Sequence, residues 1–191
     1  MSRLSFFLNL RSPAALACFL LTAALGFGLD QWSKVEAFSK LSHGMVVMPD
    51  GRPEPVNPES VSFIPGWLQF SVTANQGAVF GIGQGRRVLF IAVSFAAILF
   101  IGYLFITSGR QRLYQIILGM LLAGVLGNLY DRLKFGYVRD MIHALPQWPN
   151  LFPYIFNVAD SLLCTGVALM IIYSFVHRPP VERVQPATSV Q

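Results

Sequence analysis

Four apolar runs constrain this chain more than any other feature. They cover about residues 13–29, 88–107, 113–130 and 156–176. Each approaches the roughly 17–25 residues an α-helix needs to cross the hydrocarbon core of a bilayer. Backbone groups in lipid find no water, so each run is expected to satisfy its own hydrogen bonds as a helix. Four crossings place both ends of the chain on one side of the membrane. Composition agrees with this reading. Of 191 residues, 54% are hydrophobic and only 12% charged, about half the roughly 25% of a soluble domain. The net charge of +5 comes from arginines near span ends rather than from a basic stripe interleaved with aromatics, so no nucleic-acid partner is expected. Cys18 and Cys164 lie inside apolar runs and read as small buried hydrophobes, with no disulfide framework or metal set.

The segments between the runs differ in kind. Residues 30–87 begin polar and Pro-rich, then continue as "SFIPGWLQFSVTANQGAVFGIGQGRR". Short stretches of Phe, Trp, Val and Thr punctuated by glycine predict strands and turns. A small extramembrane β element is expected over about 61–83, resting on the bilayer through Trp67, Phe70 and Phe80. Residues 1–177 read as a single four-helix domain, and 178–191, without apolar periodicity, as a disordered tail. The N-terminus also resembles a lipoprotein precursor with a cleavage box ending at Cys18. Against that, Ala15 stands where such boxes prefer leucine, and the apolar run continues to Leu29, so an uncleaved first helix is the stronger reading.

Lysine and arginine counts do not by themselves orient the spans. Arg3, Arg11, Arg110, Arg112, Arg178 and Arg183 lie on one side, almost free of acids. Lys34, Lys40, Arg52, Arg86, Arg87, Arg132, Lys134 and Arg139 lie on the other, mixed with most of the acids. The acid-poor side fits the cytoplasm better, which places both termini inside.

In an alternating four-span path, Asp30, Asn75, Asn128, Asp131, Asp140, Asn157 and Asp160 all fall at one membrane face. Nothing comparable occurs at the other. Asn128 lies i, i+3 from Asp131 and i, i+4 from Arg132, and Asn157 lies i, i+3 from Asp160, so amides and acids share helix faces. Gly119, Ala123 and Gly127 recur every four residues and permit close approach of a neighbour, expected to be the fourth helix with Asp160. Structural readings compete at each position. Asp131–Arg132 reads first as an interfacial ion pair, Asp160 as a helix-capping acid, Asp30 as a partner for Lys34, and Asp140 as a turn residue. Two of these acids, Asp140 and Asp160, can meet at one depth. Carboxyls held close share a proton and titrate as a pair. The ionised member can activate water while the protonated one polarises a carbonyl, as in aspartic proteases. A metal mechanism lacks an HExxH or Cys/His set, and His43, His143 and His177 have no evident serine or cysteine nucleophile.

The blocks "DQWSK" (30–34), "IPGWLQFSVTANQGAVFGIG" (64–83), "GNLYDRLKFGYVRD" (127–140) and "FNVAD" (156–160) resemble, in order, those of the lipoprotein signal peptidases (signal peptidase II). The resemblance implies an all-α membrane protein of four transmembrane helices with a small extramembrane β-cradle between helices 1 and 2. It implies a catalytic dyad of Asp140 and Asp160. Asn75, Asn128, Arg132, Asn157 and Gly77 would bind substrate or support the dyad, and Asp131 would orient Arg132 or pin the third helix. Asp30 and Lys34 would be structural or substrate-adjacent. The reaction implied is cleavage of diacylglyceryl prolipoproteins just before the lipidated cysteine, at the outer face of the bacterial inner membrane. No cofactor or metal is expected, the partners are substrate and membrane lipids, and the protein is expected to be a monomer.

This chain departs from the pattern in places. Val138-Arg139-Asp140-Met141 replaces the usual Val-Val-Asp-Phe, and Gly77-Ala78-Val79-Phe80 the usual Gly-Ala-Ala-Phe. The stretch 41–60 is longer than the family norm. Arg139 is expected either to favour ionised Asp140 or to face solvent. The rival reading is a small transporter or proton-conducting protein, whose acids should lie near the midplane rather than at one face. A structural assembly subunit would not need four ordered polar motifs.

Overall fold

The computed structural model describes residues 12–77, 83, 85–108 and 111–176. Helix α1 covers Pro13–Leu41, α2 Arg87–Thr107, α3 Arg112–Lys134 and α4 Val158–Val176. All four are long and apolar enough to cross a membrane. Phe80 and the tail 178–191 lie outside the described residues.

Helix α3 is the axis of the bundle, packing against α1, α2 and α4. Its burial runs round the helix rather than along one stripe. Between the helices, Phe19 of α1 stacks on Phe105 of α2 at 4.4 Å between ring centroids, in a core with Ile101, Ile117, Leu118, Leu121 and Val125. The outward faces are apolar as well: Leu25, Val88, Leu99 and Phe175 are each more than 60% exposed. That inside-out pattern suits lipid as the surrounding solvent. Cys18 and Cys164 are free thiols, and Cys164 is exposed on the surface of α4 rather than buried as expected.

The expected first span ends at Leu29, but the helix continues for twelve more residues, to Leu41. Asp30 and Lys34, polar in the sequence, are fully buried on the inner face of these added turns. They do not break the helix because partners from α3 meet them there. Leu41 then packs with Val72 and Met141, seating a β-sheet on the end of α1.

The sheet corrects the expected architecture. Strands β3 (Ser60–Ile64) and β4 (Leu68–Asn75) do come from the connection between the first two helices. However, β5 (Val138–Ala144) and β6 (Ile155–Phe156) come from the connection between α3 and α4, and all four form one antiparallel sheet in the order β3-β4-β5-β6. The β element is therefore shared by two connections, and all-α is too narrow a class. A separate hairpin, β1 (Met45–Val47) with β2 (Pro53–Pro55), occupies much of the long 41–60 stretch.

The expected stripe of small residues also packs differently. A Cβ on Gly119 would lie 2.7 Å from the Phe19 carbonyl oxygen, and one on Gly26 would lie 2.7 Å from Ala123 Cβ, so the stripe mainly receives α1. The fourth helix instead approaches Gly124, where a Cβ would meet the Ala159 carbonyl oxygen at 2.6 Å. Gly127 touches both neighbours, Asp30 and Ala159. The four-residue repeat identifies the close-packed face of α3 without revealing which neighbour fills it.

Candidate active site

Strand β5 leaves α3 through a tight turn at Gly136, whose φ of +89° favours glycine. The reversal lays β5 beside β4, with Asp140 opposite Thr73 and Val138 opposite Asn75. Asp140 is thus a buried strand residue, not the turn residue of the competing structural reading. Asp160 sits on the first turn of α4, beside it in the network that follows.

Asparagines join the two acids. Asn75 donates to Asp140 Oδ2 at 3.0 Å, and Asn157 Nδ2 donates to Asp140 Oδ1 at 2.5 Å. Asn157 Nδ2 also donates to Asn128 Oδ1 at 3.2 Å, and Asn128 Nδ2 donates to Asp160 Oδ1 at 2.8 Å. The orientation of each amide is fixed by its other bonds. Asn75 Oδ1 accepts from the Gly77 backbone N–H at 2.8 Å, and Asn157 Oδ1 accepts from the Asp160 N–H at 2.9 Å. Asp160 Oδ2 accepts in return from the Asn157 N–H at 3.3 Å. This reciprocal pair is a capping box with asparagine and aspartate in the two roles. The capping reading of Asp160 and its place beside Asp140 are therefore compatible: the cap fixes the carboxylate's rotamer.

A second layer of charge lies behind the acids. Lys34, with no exposed surface, donates to Asp30 Oδ2 at 2.8 Å and to Asn128 Oδ1 at 3.3 Å, and lies 3.3 Å from Asp131 Oδ2. Asp30 Oδ1 accepts from the Ala159 N–H at 2.8 Å, tying α1 to the start of α4. Asp131 directs its hydrogen bonds to Arg139 rather than to Arg132. It accepts from Arg139 Nη2 at 2.8 Å and from the Arg139 backbone N–H at 3.0 Å. Arg132 turns the other way, donating to the Gly77 carbonyl at 2.8 Å over the Phe90 ring. Arg139, expected beside Asp140 or in solvent, does neither. Successive strand residues point to opposite faces, so it leaves Asp140 behind and reaches Asp131, Gln31 and the Phe135 ring. That alternation was the signal available in the sequence. The part played by Gln31 had none.

Burial governs the electrostatics here. The carboxyl of Asp140 is pushed up to about 8, first by desolvation and then by the nearby charge of Asp160, against the pull of Asn75, Asn157 and Lys34. A carboxyl with that property can hold a proton at neutral pH or pass it on. No group of three or more His, Cys, Asp or Glu arranged to hold a metal occurs among the described residues. The arrangement suits general acid–base chemistry by two carboxyls on a water and a carbonyl.

Comparison with known proteins gives a consistent result. A family model described as signal peptidase (SPase) II matches residues 22–176. The lipoprotein signal peptidase of Enterococcus faecalis is 36% identical over 159 residues, covering 83% of this chain and 88% of that protein. The lipoprotein signal peptidase of Clostridium tetani is 34% identical over 155 residues, covering 81% and 90%. Among solved structures, a bacterial membrane enzyme determined by the in meso method at 2.3 Å is similar at a TM-score of 0.68 and 28% identity, covering 90% of this chain and 93% of its own.

Proposed function

The chain belongs to the signal peptidase II family, and from that premise we propose an aspartic endopeptidase that cuts diacylglyceryl prolipoproteins just before the lipidated cysteine. Family membership makes it a protease of lipoprotein signal peptides, and its four apolar helices make it a multi-pass bacterial membrane protein. The observation that carries the finer reading is the hydrogen-bonded path from Asp140 through Asn157 and Asn128 to Asp160.

The pair holds one proton. Its ionised member takes a proton from water as the water oxygen bonds to the scissile carbonyl carbon. The protonated member donates a hydrogen bond, and then its proton, to the carbonyl oxygen. Collapse of the gem-diol intermediate breaks the C–N bond: the proton taken from water passes to the leaving amine of the cysteine, and one hydroxyl of the intermediate returns its proton to the other aspartate, which restores the singly protonated pair. The products are the signal peptide's new carboxylate and a lipoprotein with a free α-amino group. Asn75 and Asn157 stabilise the charged form of Asp140, and Asn128 that of Asp160. Arg132 holds the Gly77 carbonyl, which orders the turn after Asn75.

Position supports the substrate class. The acids lie at one end of the bundle under the sheet, with apolar helix surface along its flanks, so acyl chains can stay in the bilayer while the peptide meets water. One residue along β5, Met141 helps line an apolar cavity of about 310 Å³ with Trp32, Leu41, Val61 and Phe70, a setting suited to apolar parts of a substrate. The termini lie in the cytoplasm and the acids at the outer face. The protein acts as a monomer. Purified protein in detergent, given a lipidated and an unlipidated form of one prolipoprotein, should release a product beginning at the lipidated cysteine by mass spectrometry. Equal cleavage of both forms, or cleavage elsewhere, contradicts the substrate assignment.

A further inference from the structure

Arg139 stands where the family often has valine, and the mechanism above does not use it. It is 6% exposed, and its charge is spent on Asp131 rather than on water. The ionisable groups around it can be named element by element. Helix α1 brings Asp30 and Lys34, α3 brings Asp131 and Arg132, α4 brings Asp160, and β5 brings Asp140 and Arg139 itself. Strands β4 and β6 carry no titratable side chain. Tyr137, just before β5, is pushed up by burial and stays neutral. His143 lies further along β5, and Glu36, Lys40, Arg87 of α2, Tyr130 and Lys134 are at the surface.

The charges of this cluster close. Lys34, Arg132 and Arg139 face Asp30, Asp131, Asp140 and Asp160, all at most 8% exposed. Three cations balance three ionised carboxylates, and the fourth carboxyl is then left uncharged. Buried charge without a counter-charge is expensive, so the balanced state is the one with a single proton on the pair. With valine at 139 the same cluster would be short of one cation.

We propose that Arg139 is a positioning residue that, by neutralising Asp131 and tying β5 to α1 and α3, sets the charge balance under which the Asp140/Asp160 pair keeps one proton. Its guanidinium reaches Gln31 at 2.8 Å and Asp131 at 2.8 Å, and its own backbone N–H also bonds Asp131. The residue next to Asp140 is thereby held at both its main chain and its side chain. The inference rests on the dyad reading and adds to it how the pair's protonation is set.

The test is the pH profile of kcat for cleavage of a lipidated prolipoprotein by four purified variants. Arg139→Gln removes a cation, which favours protonated carboxyls, so the alkaline limb moves up by about one pH unit. Asp131→Asn removes an anion and moves the limb down by a similar amount. The double variant restores the balance and returns the limb to the wild-type position. Arg139→Lys keeps the charge and the limb while losing the forked contact, so kcat falls without a shift. A purely structural ion pair would lose activity from either side with no opposed shifts, and coincident limbs in the two single variants overturn the proposal. If Arg139→Gln does not fold, the double variant and Arg139→Lys decide: a displaced limb in either overturns it. Undiminished cleavage by Asp140→Asn would instead defeat the dyad reading, independently of any limb position.

Discussion

Lys34 is the residue on which the buried network most depends. Its ammonium lies between Asp30 and Asp131, and all three side chains have no exposed surface. Removing one partner of a buried pair leaves an uncompensated charge, which typically costs about 3–5 kcal/mol. Lys34→Met should therefore lower the thermal midpoint of the detergent-solubilised protein sharply. Glu36→Gln, which breaks only the surface pair with Lys40, should change stability by less than about 1 kcal/mol and so barely move the midpoint. Similar midpoints for the two variants would show that the Lys34 network carries little stability. At this scale the sequence was informative about residue types and poor about partners. Asn75, Asn128, Asn157 and the acids were visible from spacing and motif. The pairing of Asp131 with Arg139 was not, because it depends on the Gly136 turn and on which face of β5 each residue takes.

At the scale of elements, hydropathy located every span but misplaced the end of α1, since Asp30, Lys34 and Glu36 look like a loop until burial against α3 supplies their partners. Sheet pairing was invisible as well: β5 and β6 join β3 and β4 across the sequence, and no local pattern encodes that. The close contacts make a prediction about how α3 holds the site. A Cβ on Gly127 would lie 2.5 Å from Asp30 Oδ2 and 3.0 Å from Ala159 Cβ. Gly127→Ala should displace the starts of α4 and the Asp30 turn, costing about 1–3 kcal/mol and reducing cleavage along with stability. Gly28, six residues before Lys34 on α1, has open space around it. Gly28→Ala should leave cleavage unchanged and stabilise α1 by about 0.5–1 kcal/mol. Thermal melts paired with the cleavage assay check both, and equal tolerance at the two glycines would contradict the packing described.

At the scale of the whole molecule, the bundle buries polar groups at one end and turns apolar faces outward, so under the proposed function activity and stability meet at the same carboxyls. Asp140 is held at about 8 in the folded protein against an ordinary 3.8. Between about pH 4 and 8 the folded protein keeps a proton that the unfolded chain has released. The contribution of this group to stability therefore declines as pH rises through that window and levels off above it. Plotted against pH, the thermal midpoint of the wild type should fall more steeply there than that of Asp140→Asn. Parallel curves would show that burial does not hold the proton.

The central claim is that Asp140 and Asp160 act as one unit, and the residual activity of three variants tests it most directly. Purified Asp140→Asn, Asp160→Asn and the double variant are assayed on a diacylglyceryl prolipoprotein, with correct folding checked by melting in detergent. Groups that work as a unit lose everything together, so all three should fall equally, by about ten-thousand-fold or more. Near-normal cleavage by either single variant, or a double variant whose loss is the product of the two single losses, would contradict it.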